Sequence, residues 1–116
     1  MTLGDLSFAE VHDCFTIAEL LIYEAMGLAP RGEGHRALDE GIVRQGGRLP
    51  VNLSGGLKAK GHPVGATGVS MHALGFAQLV GEPIGLGVPG AEFGLLFNMG
   101  GMAVANYASV LQAVKA

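Results

Sequence analysis

Between Ala66 and Val80 the chain offers a helix with no charged side chain and too few polar ones to make a wet face. Val69, Met71, Leu74, Phe76, Leu79 and Val80 recur around its circumference, interrupted by Thr67, Ser70, His72 and Gln78. A helix apolar all round is buried all round. This requirement constrains the fold more than any other feature. The 116 residues make one domain by size. A domain with about four strands and three helices covers one side of such a helix but hardly both. The second side is therefore expected to meet a partner.

The helix is entered through Gly61-His62-Pro63-Val64-Gly65-Ala66-Thr67-Gly68. Pro63 disfavours the α conformation at His62, and the glycines let backbone or ligand come close. A loop placed in this way presents its side chain to chemistry. An isolated His-Pro turn more often only begins a helix, but a second corner lies upstream. Phe8-Ala9-Glu10-Val11 reads as a short strand running into His12-Asp13-Cys14-Phe15 and then into a helix over Thr16–Met26 that closes at Gly27. Ile17, Leu20, Leu21 and Ala25 are expected on the inner side of that helix, with Glu19 and Glu24 as its polar edge.

Composition excludes several classes. Hydrophobic residues make up 49% of the chain and the formal charge is −3, a globular composition. With Lys58 and Lys60 too few to form a basic footprint, nucleic acid is not expected as the main partner. Met1–Ser7 carries Asp5 and no basic residue, unlike a signal peptide, and no uncharged apolar run reaches membrane-spanning length. A cytoplasmic protein without a membrane span is expected. The single cysteine, Cys14, allows neither an internal disulfide nor a zinc site of paired cysteines, and no metal site is expected.

Pro30–Arg48 holds most of the charge and reads as a solvated excursion around a short helix near His35–Glu40. Val51-Asn52-Leu53 reads as a strand, Ser54-Gly55-Gly56 as a turn, and Gly81–Gly90, with its GLGVPG run, as a loop. Phe93–Asn98 and Met102–Leu111 read as two antiparallel strands joined by Met99-Gly100-Gly101. His72 is expected in the core and His35 on the surface. Met71, Met99 and Met102 are expected to fill the core.

VHDCF, then NLSGGLKAKGHPVGATG, then FNMGG in that order resemble the C-terminal half of a thiolase, in the branch of sterol-carrier-type and archaeal acetoacetyl-CoA thiolases. The resemblance covers nearly the whole chain. It implies an α/β fold: a mixed sheet of about four strands packed with helices, and one buried apolar helix after the GHP bend. It also implies a domain that lacks the first elements of its own half, and a nucleophile-bearing N-terminal half outside these residues.

The chemistry implied is acyl transfer between coenzyme A thioesters, by Claisen condensation or thiolysis of a 3-oxoacyl-CoA, with no tightly bound cofactor. In that pattern His62 activates the nucleophile and steadies charge on the thioester oxygen. His12, where many thiolases carry asparagine, donates a hydrogen bond to an enolate oxygen. Cys14 replaces the acid/base cysteine of a C-terminal CxG motif, whose place reads Asn98-Met99-Gly100; the alternative is a small core cysteine. Asn52, Gly55, Gly56 and Gly65 are candidates for shaping the substrate pocket, or for turn geometry alone, and Asp13 is expected to be structural. The implied partners are acyl-CoA, a thiolase N-terminal half or a second copy, and a bridging protein with a synthase. Two other readings stay open: a thiolase-fold aldolase, in which the HDCF histidine and cysteine tend to be replaced, and a non-catalytic interaction subunit.

Overall fold

The computed structural model of the chain describes residues 1–114. After a 3₁₀ turn at Leu3–Asp5 come β1 (Phe8–Val11), α1 (Thr16–Ala25), α2 (Arg36–Asp39), α3 (Gly56–Lys60), α4 (Thr67–Leu79), β2 (Phe93–Gly100) and β3 (Ala105–Gln112). The sheet is mixed, in the order β1-β2-β3, with β1 parallel to β2 and β2 antiparallel to β3. Among the described residues it has three strands rather than four. The expected strand at Val51–Leu53 is reduced to one bridge, Ala9 to Val51. Asn52 explains the loss. Its backbone turns to φ 52°, off the extended path, and its Oδ1 accepts from Val11 N at 2.8 Å in place of a ladder carbonyl.

Strand alternation sorts β1 and β2 onto two layers. Ala9 and Val11, with Leu95 and Phe97 beside them, face α1 and the segment that follows it, where Ile22, Tyr23, Leu28, Ala37, Val43 and Leu49 complete the core. The Pro30–Arg48 segment is therefore no solvated excursion. Its Arg36 does pair with Glu33 and Glu40 in the open, at 2.7 Å each, but Ala37 and Val43 close the core beneath them.

The face of α1 also differs from expectation. Ala18, Ile22 and Tyr23 are buried and Leu20 packs against them, whereas Ile17, Leu21 and Ala25 are exposed. Apolar residues lie on two faces of this helix, so periodicity has two solutions. Polar partners select one. Tyr23 OH donates to Glu19 Oε1 at 2.6 Å, Asn52 Nδ2 donates to the same oxygen at 3.1 Å, and Gly34 N donates to Glu24 Oε1 at 2.9 Å. The two carboxylates thus face protein rather than water. The helix ends as expected, with Gly27 at φ 76° and Leu28 N donating to Tyr23 O at 2.9 Å, the Schellman pattern.

The opposite layer holds Phe8, Glu10, Gly94 and Leu96 under α4. That helix buries the stripe Thr67, Met71, Gly75 and Gln78. A side chain on Gly75 would strike Leu96, and one on Gly94 would strike the Phe8 ring. Gln78 also staples the Gly81–Gly90 loop, donating to Leu86 O at 2.6 Å and accepting from Val88 N at 3.2 Å. The other side of α4 is open: Val69, Phe76 and Val80 are 72%, 62% and 51% exposed. A three-stranded sheet has one face to offer this helix, and that face is used.

His72 lies on the open side of α4, exposed, and not in the core. Its Nδ1 lies 2.7 Å from Gly68 O, a bond to its own helix that needs no core partner. β2 runs on to Gly100 and β3 begins at Ala105, so Met102 sits at the hairpin tip at φ 56°, exposed rather than filling the core.

Candidate active site

His12 continues the alternation of β1 beyond Val11, on the layer of Phe8 and Glu10, and is buried at 4% exposure. His62 stands in the bend between α3 and α4, in a stretch 61–66 that is exposed throughout. The two rings meet edge to face, centroids 4.9 Å apart at 78°, from positions half the chain apart. Two further contacts hold this meeting in place. The Asp13 carboxylate, next to His12, accepts from Leu57 N at 3.0 and 3.2 Å, tying the first corner to the start of α3. Lys60 Nζ, at the end of α3, donates to Ser70 Oγ on α4 at 2.9 Å.

The cluster contains more polar groups than the sequence singles out. Glu10, 2% exposed, accepts from Ser54 N at 3.2 Å and Ser54 Oγ at 2.6 Å. Burial pushes its carboxyl above the ordinary range, while Ser54 and the charge of Lys60 pull it back. Burial likewise holds Lys60 below its usual value, opposed by Glu10 and Asp13. Thr67, buried, lies with Oγ1 2.7 Å from His62 Nδ1. The GHPVGATG run contains that threonine, but helical periodicity gives no sign that its hydroxyl meets a ring five residues back. His12 Nδ1 and Asn98 Oδ1 are buried and neither makes a well-formed hydrogen bond among the described residues, although the Asn98 side chain is near enough to His12 to favour its charged form. Buried polar atoms of this kind call for a water, a ligand or another chain.

Burial holds the His12 imidazole below its ordinary 6.5; His62 and Lys60 act in the same direction, and Asn98 and Asp13 against it. The unfolded chain therefore takes up this proton at a pH where the folded chain does not. The stabilising contribution of neutral His12 is complete above about pH 6.5 and is lost as the pH falls toward the depressed folded value. Glu10, shifted the other way, acts in the opposite sense, so the comparison must be made against a variant that keeps it. The urea midpoint of the chain is expected to fall between about pH 7.5 and 5.5, and more steeply than that of His12→Gln. Parallel profiles would show that His12 is not buried in its neutral form.

Cys14 is half-buried, two residues beyond His12 and not sealed in the core. Asn52 spends its amide on Val11 and Glu19. Gly55 and Gly56 start α3 at φ 92° and 63°, and a side chain on Gly56 would strike the Asp13 carboxylate. Gly65 lies exposed in the bend at φ 87°. Among the described residues no three His, Cys, Asp or Glu side chains group as metal ligands, and no helix is long and apolar enough to cross a membrane.

The chain is a mixed α/β domain in which a buried and an exposed histidine meet where a strand and a glycine-rich bend run into helices. The family can be stated outright. The family model described as "Thiolase C-terminal domain-like" matches residues 1–113, and the chain belongs to that family. It is 50% identical over 101 residues to an acetyl-CoA acetyltransferase of Methanothermobacter thermautotrophicus, covering 87% of this chain and 26% of that protein. It is 47% identical over 100 residues to human sterol carrier protein 2, covering 86% of this chain and 18% of the relative. The chain thus spans about a quarter or less of the curated relatives it matches. Among solved structures it resembles a chain of an Ltp2-ChsH2(DUF35) aldolase, with TM-score 0.78 and 25% identity, covering 97% of this chain and 28% of the other.

Proposed function

We propose that the chain is the C-terminal portion of a thiolase-type acyl-CoA C-acyltransferase, acting on acetyl-CoA and 3-oxoacyl-CoA and inactive without a complementary half. The observation that carries this reading is the edge-to-face pair of His12 and His62, one buried and the other open. In the first half-reaction His62 takes the proton of a thiol supplied from outside these residues. The thiolate attacks the thioester carbonyl, and CoA leaves with the proton returned by His62. In the second, the Cys14 thiolate takes an α-proton from an incoming acetyl-CoA. His12 donates its N–H to the enolate oxygen as charge gathers there. The enolate then forms the carbon–carbon bond with the acyl group, releasing the first thiolate, which takes up the proton that Cys14 removed, so that both sulfurs return to their starting states.

Gly65 lies open beside His62 for the thioester to approach, while Asn52, Gly55 and Gly56 shape the site from behind, through the strand and helix that bear it. No tightly bound cofactor is required by these steps. The open side of α4 is where the N-terminal half would sit, burying well above the ~1,000 Å² of a specific contact. A bridging protein and a synthase are further partners in this reading, and the cytoplasm its compartment.

The likeness to an aldolase structure keeps one alternative specific: carbon–carbon cleavage of a β-hydroxyacyl-CoA on the same scaffold. The chain is to be mixed with a thiolase N-terminal half, and CoA release from acetyl-CoA and thiolysis of acetoacetyl-CoA measured. Neither half alone is expected to turn over, and the complex is. A stable complex inert in both assays defeats the proposal; cleavage of a β-hydroxyacyl-CoA by that complex would establish the aldolase instead.

A further inference from the structure

We propose that Thr67 is a positioning residue that sets the tautomer of His62, placing the ring proton on Nδ1 and leaving the Nε2 lone pair free; the catalytic meaning of that lone pair rests on the acyltransferase reading above. The argument is one of counting donors. A threonine hydroxyl has one proton to give and lone pairs to receive with. Within reach of Thr67 Oγ1 are Pro63 O at 3.1 Å, which can only accept, and His62 Nδ1 at 2.7 Å, which can do either. Both bonds form in one arrangement only: the hydroxyl donates to Pro63 O and Nδ1–H donates to the hydroxyl. The reverse arrangement turns the hydroxyl lone pairs toward the carbonyl oxygen and gives up one bond at a site that is 3% exposed, leaving Pro63 O with its two backbone donors, Ala66 N at 2.9 Å and Thr67 N at 3.1 Å.

The parts are rigid. Pro63 has its φ fixed by its ring, Thr67 N also donates to Pro63 O at 3.1 Å, and Thr67 opens a helix whose buried stripe lies on the sheet. His62 by contrast stands in an exposed bend, where an unheld imidazole would exchange between tautomers. The threonine removes that choice. The nitrogen left over is the one farther from the bend's own backbone, and in the reading above it receives the thiol proton.

The test is the ¹⁵N spectrum of the histidine side chains in the full chain, recorded at alkaline pH and assigned with His62→Gln. The expected result is a protonated Nδ1 and an unprotonated Nε2 in the wild type and in Thr67→Ser, with mixed tautomers in Thr67→Val. A protonated Nε2 in the wild type overturns the proposal, and that measurement decides even if Thr67→Val does not fold. A folded Thr67→Val with the wild-type tautomer overturns it equally.

In the complemented enzyme Thr67→Val should lower the kcat of acylation on the order of 10²-fold with little change in KM, and Thr67→Ser should restore it. The two readings fail separately. The expected tautomer in an inert complex sinks the acyltransferase and leaves Thr67 in its role, whereas turnover with the opposite tautomer sinks Thr67 alone.

Discussion

In the complemented enzyme, His62→Ala is expected to slow acylation by acetyl-CoA by about 10²- to 10⁴-fold, while Cys14→Ala leaves acylation intact and stops carbon–carbon bond formation. The separation follows from position. His62 stands in the exposed bend with one nitrogen held by Thr67, suited to serve a thiol arriving from outside the chain. Cys14 lies half-buried beside the first corner and has no part in creating the acyl-enzyme in this scheme. His12→Ala should fall on the same side as Cys14→Ala, removing one donor to the enolate, a loss of about 3 kcal/mol in transition-state stabilisation. Single-turnover CoA release reads the first half-reaction and acetoacetyl-CoA formation the second. Loss of the CoA burst in Cys14→Ala would remove the division of labour and leave Cys14 as a residue of structure.

Phe8→Ala is expected to destabilise the chain by about 3–5 kcal/mol, and to do so without touching any candidate for chemistry. Phe8 is fully buried, and its ring occupies the space that Gly94 leaves by having no side chain. Truncation leaves a cavity between β1, β2 and α4 that backbone on two sides cannot close. Gly94→Ala should destabilise from the other direction, by pushing a methyl into the ring. Urea unfolding with unchanged slope and a large drop in midpoint is the expected signature. A loss below about 1 kcal/mol for Phe8→Ala would mean that this layer repacks freely.

The candidate site was legible where its residues form local runs. The His-Pro bend, the HDCF corner and the apolar helix are contiguous runs, and their backbone preferences are decided by neighbours a few residues away: proline restricting His62, Gly27 closing α1, the lack of charge in α4. The resemblance carried by those runs places the chain in its family, and the family model agrees over residues 1–113. The mixed sheet was implied by the same resemblance, with four strands expected where the described residues form three.

Only the tertiary structure decided which of two apolar faces α1 would bury, since the choice rests on Tyr23, Asn52 and Gly34 reaching Glu19 and Glu24 from distant parts of the fold. It decided that Val43 and Leu49 enter the core despite the charges around them, because a segment's average polarity does not say where its few apolar side chains go. It ended the expected fourth strand at a single bridge, through one asparagine side chain standing in for a backbone acceptor. The meeting of His12 with His62, and of His62 with Thr67, likewise belongs to the fold. The sequence by itself determined which residue types and local bends were available; long-range hydrogen bonds and packing, which no window of neighbours contains, determined which of them touch.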